Sequence, residues 1–376
     1  MELIHTGDEK TEDLIRYLRL LGAGETNRET YDRFSGALKN ADPFSVNAAL
    51  HRVLSEAESV EAWKAPVARF LRAAAAALEA LPLPDYPENH PLALLEAENG
   101  EIVRALESLQ SIARGNPGSE ANPQAVVIQN RLREFSLLGA HYARLQNELF
   151  PLFETAAQDH DCVALMWSIQ DDVLELLKRL QSPGAAEDGP AFLKDFGTFY
   201  LTAASLVWRE RRVLYPAAFR AVPERIFLPK EGRAGPISTA GGAEPCFISS
   251  TGSLTQVQLE AIFKVLPVDV SFIGADDRVK FYSDPPHRVF PRSPQIIGRL
   301  VQNCHPPKSV ATVEKILASF KDGSEDSAEF WLSMKGRFIH IEYFALRDDS
   351  GAYLGTLEVS GDATAVRALE GEKRLL

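Results

Sequence analysis

The sequence predicts a multi-domain chain that is helical over its first two-thirds and α+β over its last third. Three observations carry this. Apolar residues recur every three or four positions up to about Glu224, a Gly-, Pro- and Ser-rich stretch follows, and beyond it apolar and polar residues alternate. At 376 residues the chain is long enough for two or three cores of ordinary size. The expected organisation is a helical region at 1–84, a four-helix bundle at 85–225, a linker at 226–253 and an α+β domain at 254–376 with a leading and an exit helix.

In the first region "TEDLIRYLRLL", "VNAALHRVL" and "WKAPVARFLRAAAAALEAL" keep helical spacing, which predicts short amphipathic helices. Pro82, Pro84 and Pro87 in "LPLPDYPENHP" end it, because proline lacks a donor and clashes with the preceding turn. Four longer stretches follow: "PLALLEAENGEIVRALESLQSIA", "VIQNRLREFSLLGAHYARLQNELFPLFE", "CVALMWSIQDDVLELLKRLQ" and "FLKDFGTFYLTAASLVWRERRVLYPAAFRA". Polar loops such as "ARGNPGSEANP" and "SPGAAEDGP" separate them, as in an antiparallel bundle. "QNELFPLFE" and "RRVLYPAAF" each set a Leu-aromatic-Pro triplet near a helix end, so the second and fourth helices read as equivalent parts of a pseudo-symmetric bundle.

"LPKEGRAGPISTAGGAEPCFISSTGS" has the composition of a linker. After "LTQVQLEAIFKVL" the period becomes two, in "VDVSFIGADDRVKFYS" and "AEFWLSMKGRFIHIEYFALRDDSGAYLGTLEVSG", with turns at Ala275-Asp276-Asp277 and Asp348-Asp349-Ser350-Gly351. "SVATVEKILASFKDG" is a helical piece between these strands. The order is therefore two strands, helices, three strands.

A net charge of −12 excludes non-specific nucleic-acid binding, since no basic stripe displaces counterions from phosphates. Cys162, Cys246 and Cys304 are scattered and form no CxxC pair, which suits a reducing cytoplasm and gives neither a disulfide framework nor a zinc site. The N-terminal "MELIHTGDEKTEDLIRYL" lacks a signal-peptide core, and "FLRAAAAALEALPL" is too short and too charged to cross a bilayer. The expectation is a cytoplasmic protein with no membrane insertion.

"VDVSFIGADDRVKFYS", "IIGRLVQNCHPPKSVATVEKIL" and "GRFIHIEYFALRDDSGAYLGTLEVSGDATAVRALEGE" together resemble a PAS domain, with its opening hairpin, its His-Pro step into a connector helix and its last strands ending in an Asp-x-Thr turn. With "STGSLTQVQLEAIFKVLPVDVSF" and "LEGEKRLL" added, the chain is similar to the bacterial and archaeal family catalogued as domain of unknown function 438. In that family a small helical domain, a hemerythrin-like (HHE) bundle and a PAS domain follow one another. The resemblance is dense over Ser250–Leu376, fair over Pro87–Pro216 and faint before that.

Hemerythrin-like bundles hold two irons through inward-facing imidazoles and carboxylates. Side chains on one helix share an ion only at spacings of three or four. From His141 those positions hold Arg144 and Leu145, with Glu148 two turns away. Beside the family's pattern, His90 and Glu98 are present, but Ala93 stands where a second His is expected. Leu145-Gln146-Asn147 replaces Lys-Glu-Asn, Gln170 replaces a His before Asp171 and Asp172, and Arg211 replaces an acid beside Glu210. A guanidinium repels a divalent ion. The bundle is thus expected to survive as a scaffold, with His90, Glu98, His141 and Glu210 a residual metal site at most; iron is possible and disfavoured. A salt-bridged polar network of Gln146, Gln170, Arg211 and acids is the alternative.

In the last domain, Cys304 and His305 of "QNCHPP" and His340 of "GRFIHIEYF" are the candidate cofactor residues, with haem the possible group. A flavin adduct is excluded by the six-residue spacing from Gly298 to Cys304. The alternatives are a loop or cap before the helix starting near Ser309, and a solvent-facing strand histidine. "FYSDPPHRVFPRSP" reads as a flexible flap. No GxSxG, Walker or HExxH pattern is present, so no catalysis is expected. The resulting expectation is a sensory or regulatory protein whose PAS domain reads a small ligand or partner, and whose exit helix pairs with a second copy or an effector. A functional iron sensor of oxygen, nitric oxide or redox state, or a ligand-free interaction module, are the competing readings.

Overall fold

A computed structural model describes residues 2–114, 121–133, 135–223, 247–249 and 251–373. Two compact units divide the chain, Met1–Lys230 and Glu231–Leu376.

The first unit is helical: α1 Glu2–Gly22, α2 Arg28–Lys39, α3 Pro43–Leu54, α4 Val60–Ala80, α5 Pro91–Arg114, α6 Ala121–Arg133, α7 Leu137–Arg144, α8 Phe150–Ala156, α9 Cys162–Gln181, α10 Gly189–Arg209 and α11 Tyr215–Ala221. Asp42 starts α3 with a capping box: its carboxylate accepts from Phe44 N and Ser45 N, and Ser45 Oγ accepts from Asp42 N. The prolines at 82–87 keep the chain out of helix, as expected. Side chains on both sides of the expected boundary at 85 nevertheless share one apolar core that runs from Leu14 through Phe70 and Leu106 to Val222.

The second expected bundle helix is two helices. The chain leaves helix at Phe135 and Ser136, and the Phe135 ring packs edge-on against Phe199, centroids 6.3 Å apart. Both Leu-aromatic-Pro triplets follow a π-turn, at Leu145–Leu149 and Glu210–Leu214, with Phe150 N bonded to Leu145 O and Tyr215 N to Glu210 O. A proline inside a continuous α-helix removes one bond and clashes with the carbonyl four residues back; a wider i→i+5 turn ahead of it relieves this. The echo between the two triplets thus extends to the backbone, and Glu210, in the second turn, is fully buried.

The second unit contains a hairpin, β1 Phe247–Ser249 and β2 Gly252–Leu254, at the end of the stretch expected to be linker. The rest of that stretch lies outside the described residues. Helix α12 Gln256–Val265 follows, then β3 Asp269–Gly274, β4 Val279–Tyr282, α13 Pro307–Asp322, β5 Ser327–Met334, β6 Arg337–Arg347, β7 Tyr353–Asp362 and α14 Thr364–Arg367. The five-stranded antiparallel sheet has the order β4-β3-β7-β6-β5. Ile339, Ile341 and Tyr343 of β6 face Phe320 of α13 and Val289, which fixes the inner face. The exit helix is a correction: α14 is a single turn, and residues 368–373 are non-helical with Gly371 at φ 67°. A short charged segment that buries no face cannot meet the cost of helix nucleation. The Asp-x-Thr turn is present, with Asp362 Oδ1 accepting from Thr364 N at 3.0 Å and Thr364 Oγ1 accepting from Phe338 N at 2.7 Å.

Candidate functional site

Each unit carries a buried polar cluster, and these hold most of the residues selected from the sequence. In the helical unit, His141 of α7 lies between Glu98 of α5 and Glu210. Its Nδ1 is 2.7 Å from Glu98 Oε2 and its Nε2 is 3.0 Å from Glu210 Oε2. A neutral imidazole has one N–H, so contacts to two carboxylates require the imidazolium, which donates at both nitrogens. Burial on its own disfavours that charge. Glu210 and then Glu98, through hydrogen bonds and charge, outweigh it and raise the His141 pKa above the ordinary imidazole value. Tyr215 donates to Glu210 Oε2 at 3.3 Å and accepts from Asn99 Nδ2 at 2.9 Å. Burial first, and Glu210 second, push the Tyr142 and Tyr215 hydroxyls well above the usual phenol range.

The flanks of this cluster are ion pairs. Arg144 Nη2 is 3.1 Å from Glu98 Oε1, and Arg211 Nη2 is 2.6 Å from Glu96 Oε1. Gln146 donates to Gln170 Oε1 at 2.9 Å. His90, the fourth candidate ligand, is engaged at a helix start: its Nδ1 accepts from Leu92 N at 3.1 Å and its ring stacks on Tyr86.

This donor set does not fit a metal centre. Both nitrogens of His141 are turned to carboxylates. The buried atoms with no hydrogen-bond partner among the described residues include Gln170 Nε2, an N–H donor, as well as the acceptors Asn99 Oδ1 and Glu210 Oε1. A mixture of donors and acceptors suits bridging water rather than a cation. Among the described residues no group of three or more His, Cys, Asp or Glu side chains is arranged to hold an ion. Of the four residues named as a residual metal site, Glu98, His141 and Glu210 form a hydrogen-bonded trio, and His90 stands apart from them at the start of α5.

In the second unit the inner sheet face carries two polar cross-strand rows. Asp269 is opposite Ser360, which is opposite Ile341; Ser271 is opposite Glu358, which is opposite Tyr343. All six side chains are buried. The stretch read as a flexible flap is instead tied to this face: Asp269 Oδ2 accepts from Val289 N at 2.6 Å, and Arg288 donates to Ser271 Oγ at 3.2 Å; within the stretch Arg288 also donates to Phe290 O at 2.8 Å and to Ser283 O. Asp269 Oδ1 is buried with no partner among the described residues.

His305 belongs to the same cluster. Its Nδ1 is 2.8 Å from Val301 O. Burial lowers its pKa below the ordinary value, while the Val301 carbonyl and Glu358 pull the other way and Arg292 adds to the lowering. Tyr343 is pushed well above the phenol range by burial and then by Glu358. Cys304 is buried with Val279 and Ile296, its thiol 3.6 Å from Leu300 O. His340 is a correction. It sits opposite the isoleucine face, outside the cup, half-exposed, with Nε2 2.6 Å from Glu329 Oε1. Buried Asp269 and Glu358 make the inner face unsuited to a haem, which takes an apolar slot.

Asp269, Ser271 and Glu358 escaped the reading of the sequence, which had Arg288 only as part of the flap. The signal was the alternation itself: Thr356, Glu358 and Ser360 recur with period two in "YLGTLEVSG", and Asp269 and Ser271 do so in "VDVSFIG".

Residues 259–364 match the family model described as a PAS domain. Among solved structures, a C-terminal domain from Streptococcus mutans is 31% identical, covers 34% of this chain and 98% of that chain, and has a TM-score of 0.32. The sensor region of a sensor histidine kinase is 12% identical, covers 46% of this chain and 52% of that chain, with a TM-score of 0.20. No curated protein matches the chain. Among the described residues no helix is long and apolar enough to cross a membrane.

Proposed function

We propose that this chain is an intracellular sensory protein with no catalysis of its own, in which the PAS segment reads a small polar ligand and the helical unit is a hemerythrin-like scaffold whose di-iron site has degenerated. The observation that carries this reading is the pair of polar rows on the inner face of the sheet within the segment that matches a PAS domain. Apolar packing needs no buried carboxylates, whereas a ligand with both donors and acceptors does. Asp269 Oδ1, buried without a partner among the described residues, and Glu358 supply acceptors, with the positive charges of Arg288 and Arg292 close by. A ligand acts on the rest of the unit only through its different affinity for two arrangements of these groups.

A second reading, in which the unit reads a protein partner or a second copy, is supported by α12, which buries none of its side chains and exposes Val257 and Val265. The test is calorimetric melting of the full chain with glutamate, arginine, succinate and citrate as probes. A rise in the melting temperature of the second unit with at least one of them, abolished in Glu358→Gln, is expected. Identical melts across all four probes refute the polar-ligand reading.

A further inference from the structure

The helical unit holds a cavity of about 520 Å³ between α4, α9 and α10. Ala65, Ala68, Leu71, Ile169 and Leu201 give it mostly apolar walls, and Arg209, the last residue of α10, also lines it. Arg209 is only 7% exposed. It has no carboxylate, carbonyl or hydroxyl partner among the described residues, and its Nη1 is a buried donor with nothing to donate to. Behind it lies a small pocket of about 20 Å³ walled mainly by apolar side chains, Leu50, Val67 and Met166 among them, with the Cys162 thiol.

Lys64, Asp172 and Glu79, which also line the cavity, have partners. Lys64 is paired with Glu61 and with Asp172. Glu79 accepts from Trp208 Nε1 at 3.0 Å. Arg72 stands at the same wall and adds a second positive charge. Burial pulls the Arg209 guanidinium down to about 10, so it stays charged at neutral pH. An isolated cation in a low-dielectric interior is unfavourable until an anion joins it. The guanidinium fork matches a carboxylate in bidentate geometry, and the cavity lies within the size range of small-molecule sites.

From these observations we infer that the cavity binds a monocarboxylate with an apolar body, its carboxylate on Arg209 and its hydrocarbon along the alanine and leucine walls. This is independent of what the PAS segment reads. The experiment is titration calorimetry on the full chain with octanoate and benzoate, with 1-octanol as the uncharged control and inorganic phosphate as the alternative anion. At least one carboxylate is expected to bind. Arg209→Met should weaken it at least tenfold, with 1-octanol unaffected and far-UV ellipticity retained, since Met fills the space of an unpaired arginine. Ala68→Phe, on an exposed position of α4 that lines the cavity, should block the carboxylate while leaving Arg209 intact. Silence from both carboxylates overturns the inference. So does equal binding by Arg209→Met or Ala68→Phe, or binding of phosphate alone.

Discussion

Replacing His141 by leucine separates a buried charge cluster from an apolar core, and its consequence can be sized. His141 is 2% exposed at its side chain and Glu210 0%, while Glu98 keeps 28%. Removing one partner of a buried pair costs about 3–5 kcal/mol, because the other charge is left uncompensated. Partial exposure of Glu98 trims its share through solvent screening, so about 3 kcal/mol is expected for His141→Leu. Glu210→Leu on the same background removes the stranded carboxylate and should recover most of that loss, a coupling of on the order of 2 kcal/mol. The dependence on pH follows from the raised His141 pKa. A folded pKa above the unfolded value of about 6.5 gives stability that is complete below that value and is lost as pH rises through the folded pKa. Urea denaturation followed by far-UV ellipticity should therefore show the helical unit weakening as pH rises above about 6.5 in the natural chain and not in His141→Leu. A single variant losing less than about 1 kcal/mol, or a pH slope that survives the loss of His141, would refute the imidazolium assignment.

In the PAS segment the sign is reversed. Burial, the leading influence, depresses the His305 pKa, so its contribution is present above about pH 6.5 and is lost as pH falls through the folded value; acid should melt the second unit, and His305→Gln should flatten that loss. Hydrogen exchange of β3 and β7 amides is the measurement. Gly355→Ala should unfold the same unit, since φ is +149° and a Cβ there would lie 2.2 Å from Ile273 O; backbone strain alone is about 1–3 kcal/mol, and the clash comes on top. Gly361→Ala, whose Cβ meets the Val268 side chain at 3.2 Å and Pro267 O at an ordinary 3.8 Å, is the tolerated control.

How much of this was legible in the sequence depended on whether local or cross-strand information was needed. Helical periodicity located α1, α3 and α4, but α2 went unread: the stripe of "RETYDRFSGALK" is short, with Phe34 and Leu38 its buried apolar residues, and its start is marked by a cap, Asn27 Oδ1 accepting from Thr30 N at 2.8 Å. The period-two stretches gave the strands, and they gave the opposition between His340 and the isoleucines of β6. They could not say which of those faces is inward, because that is decided by packing on α13 and by register with β7. The flap was misread for the same reason. Proline-rich composition suggests freedom, and only the distant carboxylate of Asp269 shows that Val289 and Phe290 are tied. In the bundle the echo of Leu-aromatic-Pro was correct as a pattern, and its cause, a π-turn before each proline, leaves no local trace beyond the triplet.

Arg211 gives the clearest sign that the polar interior of the helical unit carries its own counter-charges. At a position where the resemblance to hemerythrin-like bundles expects an acid, it binds Glu96. Arg144 does the same for Glu98, and His141 bridges Glu98 and Glu210. Three carboxylates therefore face three cations, all supplied by the chain. Carboxylates stripped of a metal and left in a core repel one another and take up protons or draw in water. Here the counter-charge is covalently attached, and the imidazolium is the one member of the set whose charge a modest rise in pH removes. Neutral His141 can donate to only one of its two carboxylates, so the contact to Glu98 or the contact to Glu210 must then be given up, and α7 loses its tie to α5 or to the inward turn after α10.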